Sequence, residues 1–260
     1  MSYIKVYPNI DADAQAFLTA AAITDPTISS SINKLVVDLK SAGVWSKMKA
    51  IYPMVGGTAS THKFNLKDPR DLDAAFRLQF FGGVTHDSNG IQGNGTNGYA
   101  NTFISPASNL IQNSTHLSFY SRTNISAEQV EISALANVPN RITLEIRYNG
   151  TFDSDLYNFS TGRVSTANAN STGFYVTSRI NSTTHKAFKN NSQLGSTNTG
   201  ASGSLSNITN NLVLLAQSPV INFSSKQCAF SSIGDGLSDT EAANFYTAVQ
   251  NFQTTLNRQV

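Results

Sequence analysis

Residues 141–148 (Arg-Ile-Thr-Leu-Glu-Ile-Arg-Tyr) alternate polar and apolar side chains and run directly into Asn149-Gly150. A period of two puts Ile142, Leu144 and Ile146 on one face of a strand, and Arg141, Thr143, Glu145 and Arg147 on the other. Asn-Gly readily takes positive φ at both central positions of a two-residue hairpin turn. Half-buried strands joined by tight turns are therefore the expected unit. The pattern recurs, with strands expected at 61–66, 75–81, 100–104, 116–122, 130–136, 141–148, 173–180, 184–189, 212–217 and 227–231. Asn190-Asn191 supplies a second tight turn, between Ala187-Phe188-Lys189 and Gln193-Leu194. Many short strands with frequent turns predict an all-β sandwich or barrel. The Gly- and Asn-rich stretch 87–98 and the Ser/Thr/Gly stretch 196–206 are expected to be loops.

The two ends differ from this centre. Asp11 or Asp13 caps a short expected helix through Phe17 and Leu18. Thr24-Asp25-Pro26 starts a second, with a capping residue ahead of proline at the first helical position. Ile28, Ile32, Leu35, Val36 and Leu39 then recur at helical spacing, and Gly43 is the expected stop. The segment 44–55 is expected to continue as a helical turn and then become extended. Ser238-Asp239-Thr240-Glu241 is a capping box ahead of an apolar stripe formed by Ala242, Phe245, Val249, Phe252 and Leu256. Arg258 is expected to favour the dipole at that helix's C-terminal end. The expected organisation is a helical attachment segment (1–58), a β-sandwich (59–236) and a closing helix (237–260).

Only 13% of residues are charged, well below the roughly 25% usual in soluble domains. Asn, Ser, Thr and Gly supply the polarity, a profile that fits a rigid extracellular or particle-borne protein. The net charge of +2 is scattered, without the basic stripe that a nucleic-acid partner requires. Cys228, the single cysteine, forms no internal disulfide and is expected to be a small core residue. No apolar run approaches the ~18 residues of a membrane span, so membrane insertion is not expected. Met1 to Val6 lacks the apolar core of a signal peptide, which predicts synthesis in a cytoplasm without export through a cleaved leader. The recurring Asn-x-Ser/Thr tripeptides are then a product of composition.

The run His116-Leu117-Ser118-Phe119-Tyr120-Ser121-Arg122 is similar to a sheet strand of concanavalin A-like modules. The same holds for Gly173-Phe174-Tyr175-Val176-Thr177-Ser178-Arg179, taken with Ala187 to Asn191. The stretch Phe230 to Ser238 and the helix after it resemble the end of laminin-G-like modules in bacteriophage structural proteins. Leu35 to Lys40, Trp45 to Pro53 and Asn65-Leu66-Lys67-Asp68-Pro69 resemble the opening of those phage proteins, in their usual order. The resemblance covers the chain from about residue 12 to its end. It implies a mainly β, antiparallel concanavalin A-like jelly-roll sandwich with N-terminal helices and a C-terminal helix. It also implies a virion structural protein, made in the host cytoplasm: a head fibre, spike or tail fibre module. Its partners would be other virion proteins and a host surface glycan. Homo-oligomerisation, as a trimer, is implied by analogy with phage fibres.

The residues themselves carry little catalytic pattern, and the expectation is a non-enzyme. Glucanases on this fold alternate acidic residues along one strand so that both carboxylates face one sugar. Here Glu128 and Glu131 differ by an odd number and Glu145 stands alone along its strand, so parity argues against hydrolysis. A glycan-degrading hydrolase and a purely architectural capsid protein remain the alternatives. His62, His86, His116 and His185 show no zinc spacing. No nucleophile elbow and no phosphate loop are present. Asp153 and Asp155 share a strand face and are the candidate Ca²⁺ ligands, set against an ordinary role as solvated turn residues; no other cofactor is expected. For sugar stacking the candidates are Tyr99, Tyr148, Tyr157 and Tyr175, beside Asn97, Asn149 and Asn158. Sandwich cores also consume aromatics, so part of the tyrosine set is expected to be packing.

Overall fold

The computed structural model describes residues 10–136 and 139–260; the first nine residues, read above for a leader, lie outside them. Two helices come first, α1 (Ala12–Ala20) and α2 (Pro26–Ser41). Strand β1 (Met48–Tyr52), helical turn α3 (Ala59–His62), β2 (Gln79–Phe81), β3 (Thr85–Asp87), β4 (Gly90–Gln92) and β5 (Tyr99–Asn101) follow. A second short turn, α4 (Pro106–Asn109), precedes β6 (Thr115–Ser121), β7 (Ile132–Leu135), β8 (Arg141–Tyr148), β9 (Thr151–Leu156) and β10 (Arg163–Ala167). The chain then forms β11 (Gly173–Asn181), β12 (Thr184–Lys189), β13 (Ser192–Asn198), β14 (Val213–Leu214), β15 (Gln227–Gly234) and the closing helix α5 (Asp239–Thr255).

The strands form two antiparallel sheets. The eight-stranded sheet runs β13-β12-β11-β6-β15-β4-β3, with β1 also paired to β15. The seven-stranded sheet runs β10-β9-β8-β7-β14-β5-β2. Alternation explains the layering. Leu117, Phe119 and Tyr175 from the larger sheet meet Ile132, Ile142, Leu144, Ile146 and Phe152 from the smaller one in a single buried cluster. The opposite face of the larger sheet, with Tyr120, Phe174, Val176 and Phe230, packs with α1, α2 and α5 in a second cluster. No residue of the seven-stranded sheet belongs to that second cluster. The order of layers is therefore helices, larger sheet, smaller sheet, and no helix of the second cluster covers the outer face of the smaller sheet.

Local signals act as expected at several points. Asp11 accepts from the Asp13 N–H, Asp25 caps α2 ahead of Pro26, and Gly43 leaves that helix at φ +71°. The Ser238–Glu241 capping box opens α5. Asn149 and Gly150 take φ of 48° and 77°, and Asn190 and Asn191 take 46° and 66°. Both pairs are the positive-φ turns that join β8 to β9 and β12 to β13.

Other expectations change. Residues 61–66 do not form a strand: Thr58 and Thr61 form a reciprocal cap for α3, and the buried Asn65 side chain accepts from the Ile51 N–H. The stretch 87–98 is not wholly loop, because β3 and β4 pair as a hairpin around it with Asp87 opposite Gly90. Likewise β13 extends into 196–206 and pairs with β12. β1 falls inside the segment assigned to helical attachment, yet it is a strand of the sandwich. Arg258 does not act on the helix dipole alone. It is 2% exposed and donates to the carbonyls of Pro53, Met54 and Ala229 and to Gln253 Oε1.

Candidate functional site

The strand register aligns one row of side chains across the whole smaller sheet. Gln79 pairs with Asn101, Asn101 with Val213, Val213 with Ser133, Ser133 with Thr143, Thr143 with Asp155, and Asp155 with Arg163. The strand neighbours of these residues (Ala100, Leu214, Ile132, Ile142, Leu144, Leu156 and Val164) fill the space between the sheets. Alternation therefore sends the row to the outer face. Arg141, Glu145, Arg147 and Asp153 share that face, and Glu145 lies directly opposite Asp153.

This face is poorly satisfied. Six buried side-chain polar atoms lack a hydrogen-bond partner among the described residues, and four of them are Ser133 Oγ, Thr143 Oγ1, Arg147 Nε and Asp153 Oδ1. Ser133 is 0% and Thr143 3% exposed. A buried polar group left unpaired costs about 1–3 kcal/mol, so a cluster of them on neighbouring strands is a place where hydrogen bonds are withheld from the fold itself. Glu145, half-buried, also has no hydrogen bond or ion pair among the described residues. Burial, with like charge from Glu131 and Asp153, pushes its carboxyl up to about 7 from 4.5.

That shift gives a prediction. The folded-state value lies above the unfolded one, so the folded chain holds the extra proton between about 4.5 and 7. Stability then falls as pH rises through that window. Glu145→Gln is expected to match the parent's melting temperature near pH 4 and to exceed it increasingly up to pH 8, as read by thermal unfolding. A constant difference across that range would remove the assignment.

Aromatic groups flank the row. Phe81 stacks on Tyr99 at 4.8 Å between ring centroids with an interplanar angle of 12°, at the β2–β5 edge. Phe159, 37% exposed, sits over the Arg141 and Arg163 guanidinium groups at 4.0 and 4.5 Å. Among the tyrosines singled out in the sequence, Tyr99 and Tyr148 reach the surface in part, whereas Tyr157 and Tyr175 are fully buried. Tyr157 donates to the Ile111 carbonyl, and Tyr175 donates to the Asn170 carbonyl and stacks on Phe152. These two are core residues and are withdrawn as stacking groups. A strand residue's parity says which face it takes; it does not say whether that face is inside. Asn97 and Asn149 are exposed, and Asn97 bonds the Gly83 N–H across its loop. Asn158 caps the following turn through the Ser160 and Thr161 N–H groups.

Asp153 and Asp155 do share a face, but they are not a calcium site. Arg141 and Arg163 reach the buried Asp155 at 2.6 and 2.7 Å, and Arg163 lies 3.3 Å from Asp153. Two guanidinium groups occupy the ground a cation would need. Among the described residues, no group of three or more His, Cys, Asp or Glu side chains could hold a metal ion. His62 and His86 meet Nδ1 to Nδ1 at 3.0 Å, as a pair without a third ligand. His185 bonds Thr177 at 2.6 Å and His116 bonds Ser232 at 3.0 Å; all four side chains are fully buried, so these hydroxyl–imidazole pairs are internal ties without access for a substrate.

Comparison with solved structures places this geometry beside known β-sandwich chains. A Trypanosoma rangeli sialidase mutant displaying trans-sialidase activity matches with a TM-score of 0.57 and 12% identity, covering 86% of this chain and 39% of that one. Domain 4 of AbnA, a GH43 extracellular arabinanase from Geobacillus stearothermophilus in complex with arabinotriose, matches at 0.55 and 11%, covering 76% of this chain and 98% of the domain. The likeness is one of fold. The binding domain of botulinum neurotoxin serotype D follows at 0.50 and 12%, covering 78% of this chain and 52% of that one. This chain thus spans about two-fifths of the sialidase and nearly all of the arabinanase domain. No protein-family model matches it, and no curated protein sequence matches it. The fold is a mainly β, jelly-roll-like antiparallel sandwich with helices at both ends, as expected from the sequence.

Sequence reasoning missed the cross-strand pair Glu145–Asp153. The parity test compared carboxylates along one strand, whereas these two meet on adjacent strands. Local sequence did not hold the signal: counting back from the Asn149-Gly150 turn pairs 145 with 154, and a register shift between Glu145 and Tyr148 brings Asp153 opposite Glu145 instead.

Proposed function

We propose that this chain is a non-catalytic glycan-binding sandwich whose ligand face is the outer surface of the seven-stranded sheet. The observation that carries this is the set of partly exposed aromatic groups on that face, Phe81 stacked on Tyr99 and Phe159 over Arg141 and Arg163, together with the half-buried Glu145 carboxyl, which is unpaired among the described residues. Sugars offer hydroxyl donors for that carboxyl, and apolar ring faces for Tyr99, Phe81 and Phe159. The likeness in fold to an arabinanase domain solved with arabinotriose supports the same class of ligand. The placement on a bacteriophage particle, as a head fibre, spike or tail fibre module, rests on the sequence resemblance described above. There the glycan would be one of the host surface, and copies of this chain and other virion proteins would hold the module in place.

Phe159→Ala tests the binding face. The ring is 37% exposed and its contacts are with the Arg141 and Arg163 guanidinium groups, so its loss is expected to lower folding stability by about 1 kcal/mol. Glycan affinity is expected to fall about tenfold, one decade for each 1.4 kcal/mol. Glycan-array binding and thermal unfolding read the two effects separately. A loss of stability with binding intact would make Phe159 structural and remove the site. Imaging an intact particle with an antibody to this chain tests the virion placement.

A second reading, hydrolysis, is favoured by one observation: a carboxyl raised to about 7 directly opposite a second carboxylate, Asp153. A general acid and a partner carboxylate are the groups that glycoside cleavage uses. Release of reducing ends by the parent chain but not by Glu145→Gln would establish it.

A further inference from the structure

We infer that Asn149 is a site of spontaneous covalent change: in the folded chain its carboxamide converts to aspartate and isoaspartate ahead of every other Asn-Gly pair. The inference is independent of the glycan-binding reading.

Asn-Gly occurs at 89–90, 94–95, 97–98 and 149–150. The chemistry is the same at each. The backbone nitrogen of the glycine attacks the asparagine Cγ, and an N–Cγ bond forms. The Cγ–Nδ2 bond breaks, the N–H proton passes to the departing nitrogen, and ammonia leaves. Solvent water then opens the cyclic imide at one of its two carbonyls, giving aspartate or isoaspartate. Glycine favours the attack because no Cβ crowds the nitrogen and its torsions turn freely. Two groups must be free: the carboxamide, and the glycine nitrogen that swings onto it.

Three of the pairs are tied at one or both of these groups. Asn94 Oδ1 accepts from the N–H groups of Thr96, Asn97 and Gly98, each at 3.0 Å, and Asn94 Nδ2 donates to Asn97 Oδ1. Asn97 Oδ1 also accepts from the Gly83 N–H at 3.0 Å, and the Gly98 N–H is already donated to Asn94. The Gly90 N–H donates to Asp87 Oδ1 at 3.1 Å, and a Cβ on Gly90 would meet the Cys228 carbonyl at 2.0 Å, so the backbone there has no room to turn. Asn149 differs at both groups. It is exposed, and its carboxamide has no hydrogen-bond partner among the described residues. The Gly150 N–H makes one long contact, to Ser126 Oγ at 3.4 Å, and no atom lies within 4 Å of where a Cβ would stand. The Asn168 N–H holds the Gly150 carbonyl at 2.6 Å, but that bond fixes the following peptide and not the one that must rotate.

The conversion alters the hairpin. Isoaspartate routes the main chain through Cβ and adds an atom to a two-residue turn closed by Tyr148 and Thr151. Either product adds a negative charge at the turn.

Trypsin separates the sites: residues 148–163 form one peptide, with Asn149, and residues 78–122 another, with the remaining Asn-Gly pairs. The intact chain is held folded in mildly alkaline buffer at body temperature, sampled over time, digested and read by mass spectrometry. The 148–163 peptide is expected to convert from amide to acid at least about tenfold faster than the 78–122 peptide, a barrier difference of about 1.4 kcal/mol. Fragmentation should place the change at Asn149 and not at Asn158. In denaturant, where no tertiary bond restrains the carboxamides, the order should reverse, because the 78–122 peptide carries more Asn-Gly pairs. Asn149→Gln, whose longer side chain closes the ring poorly, is expected to stop the change in 148–163 and leave 78–122 as before. A folded chain whose 78–122 peptide converts as fast, a change located at Asn158, or a folded chain in which neither peptide changes while the denatured chain converts both, overturns the assignment.

Discussion

Arg258→Met is expected to destabilise the fold by about 2–6 kcal/mol, from two buried carbonyls, those of Pro53 and Met54, each left without a donor at about 1–3 kcal/mol apiece; the Ala229 carbonyl keeps the Gln253 amide as a donor. The guanidinium donates to Met54 O at 2.7 Å, Pro53 O at 3.1 Å and Ala229 O at 3.2 Å, and its Nε–H bonds Gln253 Oε1 at 2.9 Å. These acceptors belong to three different parts of the molecule: the segment after β1, strand β15 and the closing helix. One side chain therefore ties the C-terminal end to the sandwich. Lysine is not expected to rescue the loss, because a single ammonium cannot reach carbonyls arranged around a planar fork. Denaturant unfolding should show a lower midpoint for Arg258→Met and for Arg258→Lys with little change in slope. A midpoint within about 0.5 kcal/mol of the parent, the range of ordinary surface changes, would mean that the carbonyls find other donors.

Lys226→Met should cost about 3–5 kcal/mol, because it strands the Glu131 carboxylate in the interior. The pair is 3.0 Å apart and both side chains are fully buried. Glu131 also accepts from the Ile146 N–H at 2.7 Å and from Ser224 at 3.0 Å. Glu131 immediately precedes β7 in the smaller sheet and Lys226 immediately precedes β15 in the larger one, so the ion pair clamps the two layers at one end. The double variant Glu131→Gln with Lys226→Met keeps an acceptor for the Ile146 N–H, turns an amide N–H toward the Ser224 hydroxyl, and removes both charges. It is expected to recover at least about 2 kcal/mol relative to Lys226→Met alone, as a double-mutant cycle would show. If the two substitutions add without coupling, the clamp has no energetic meaning.

The parts of this protein that depend on adjacent residues were legible in its sequence. Asn149-Gly150 and Asn190-Asn191 form their turns because positive φ is cheap for glycine and for asparagine. Asp25-Pro26 and the Ser238–Glu241 box start helices because each supplies partners or geometry for the first free N–H groups. The two-residue alternation of 141–148 predicted a strand over those same residues. Three-residue strands such as β3 and β4 escaped notice, since so short a run has no measurable period.

What only the tertiary structure decided is which strands lie side by side and which face meets solvent. Tyr157 and Tyr99 look alike as sequence, yet one is buried in the core and the other stacks at the sheet edge. Asp155 looked like a free ligand until Arg141 and Arg163 were brought against it from neighbouring strands. The row from Asn101 to Arg163 draws residues from 101 to 213 into one line. Torsional preferences and side-chain period act within a few residues of chain, whereas strand order is set by burying two sheets and a helical layer together. A site made from that order has no local signature to read.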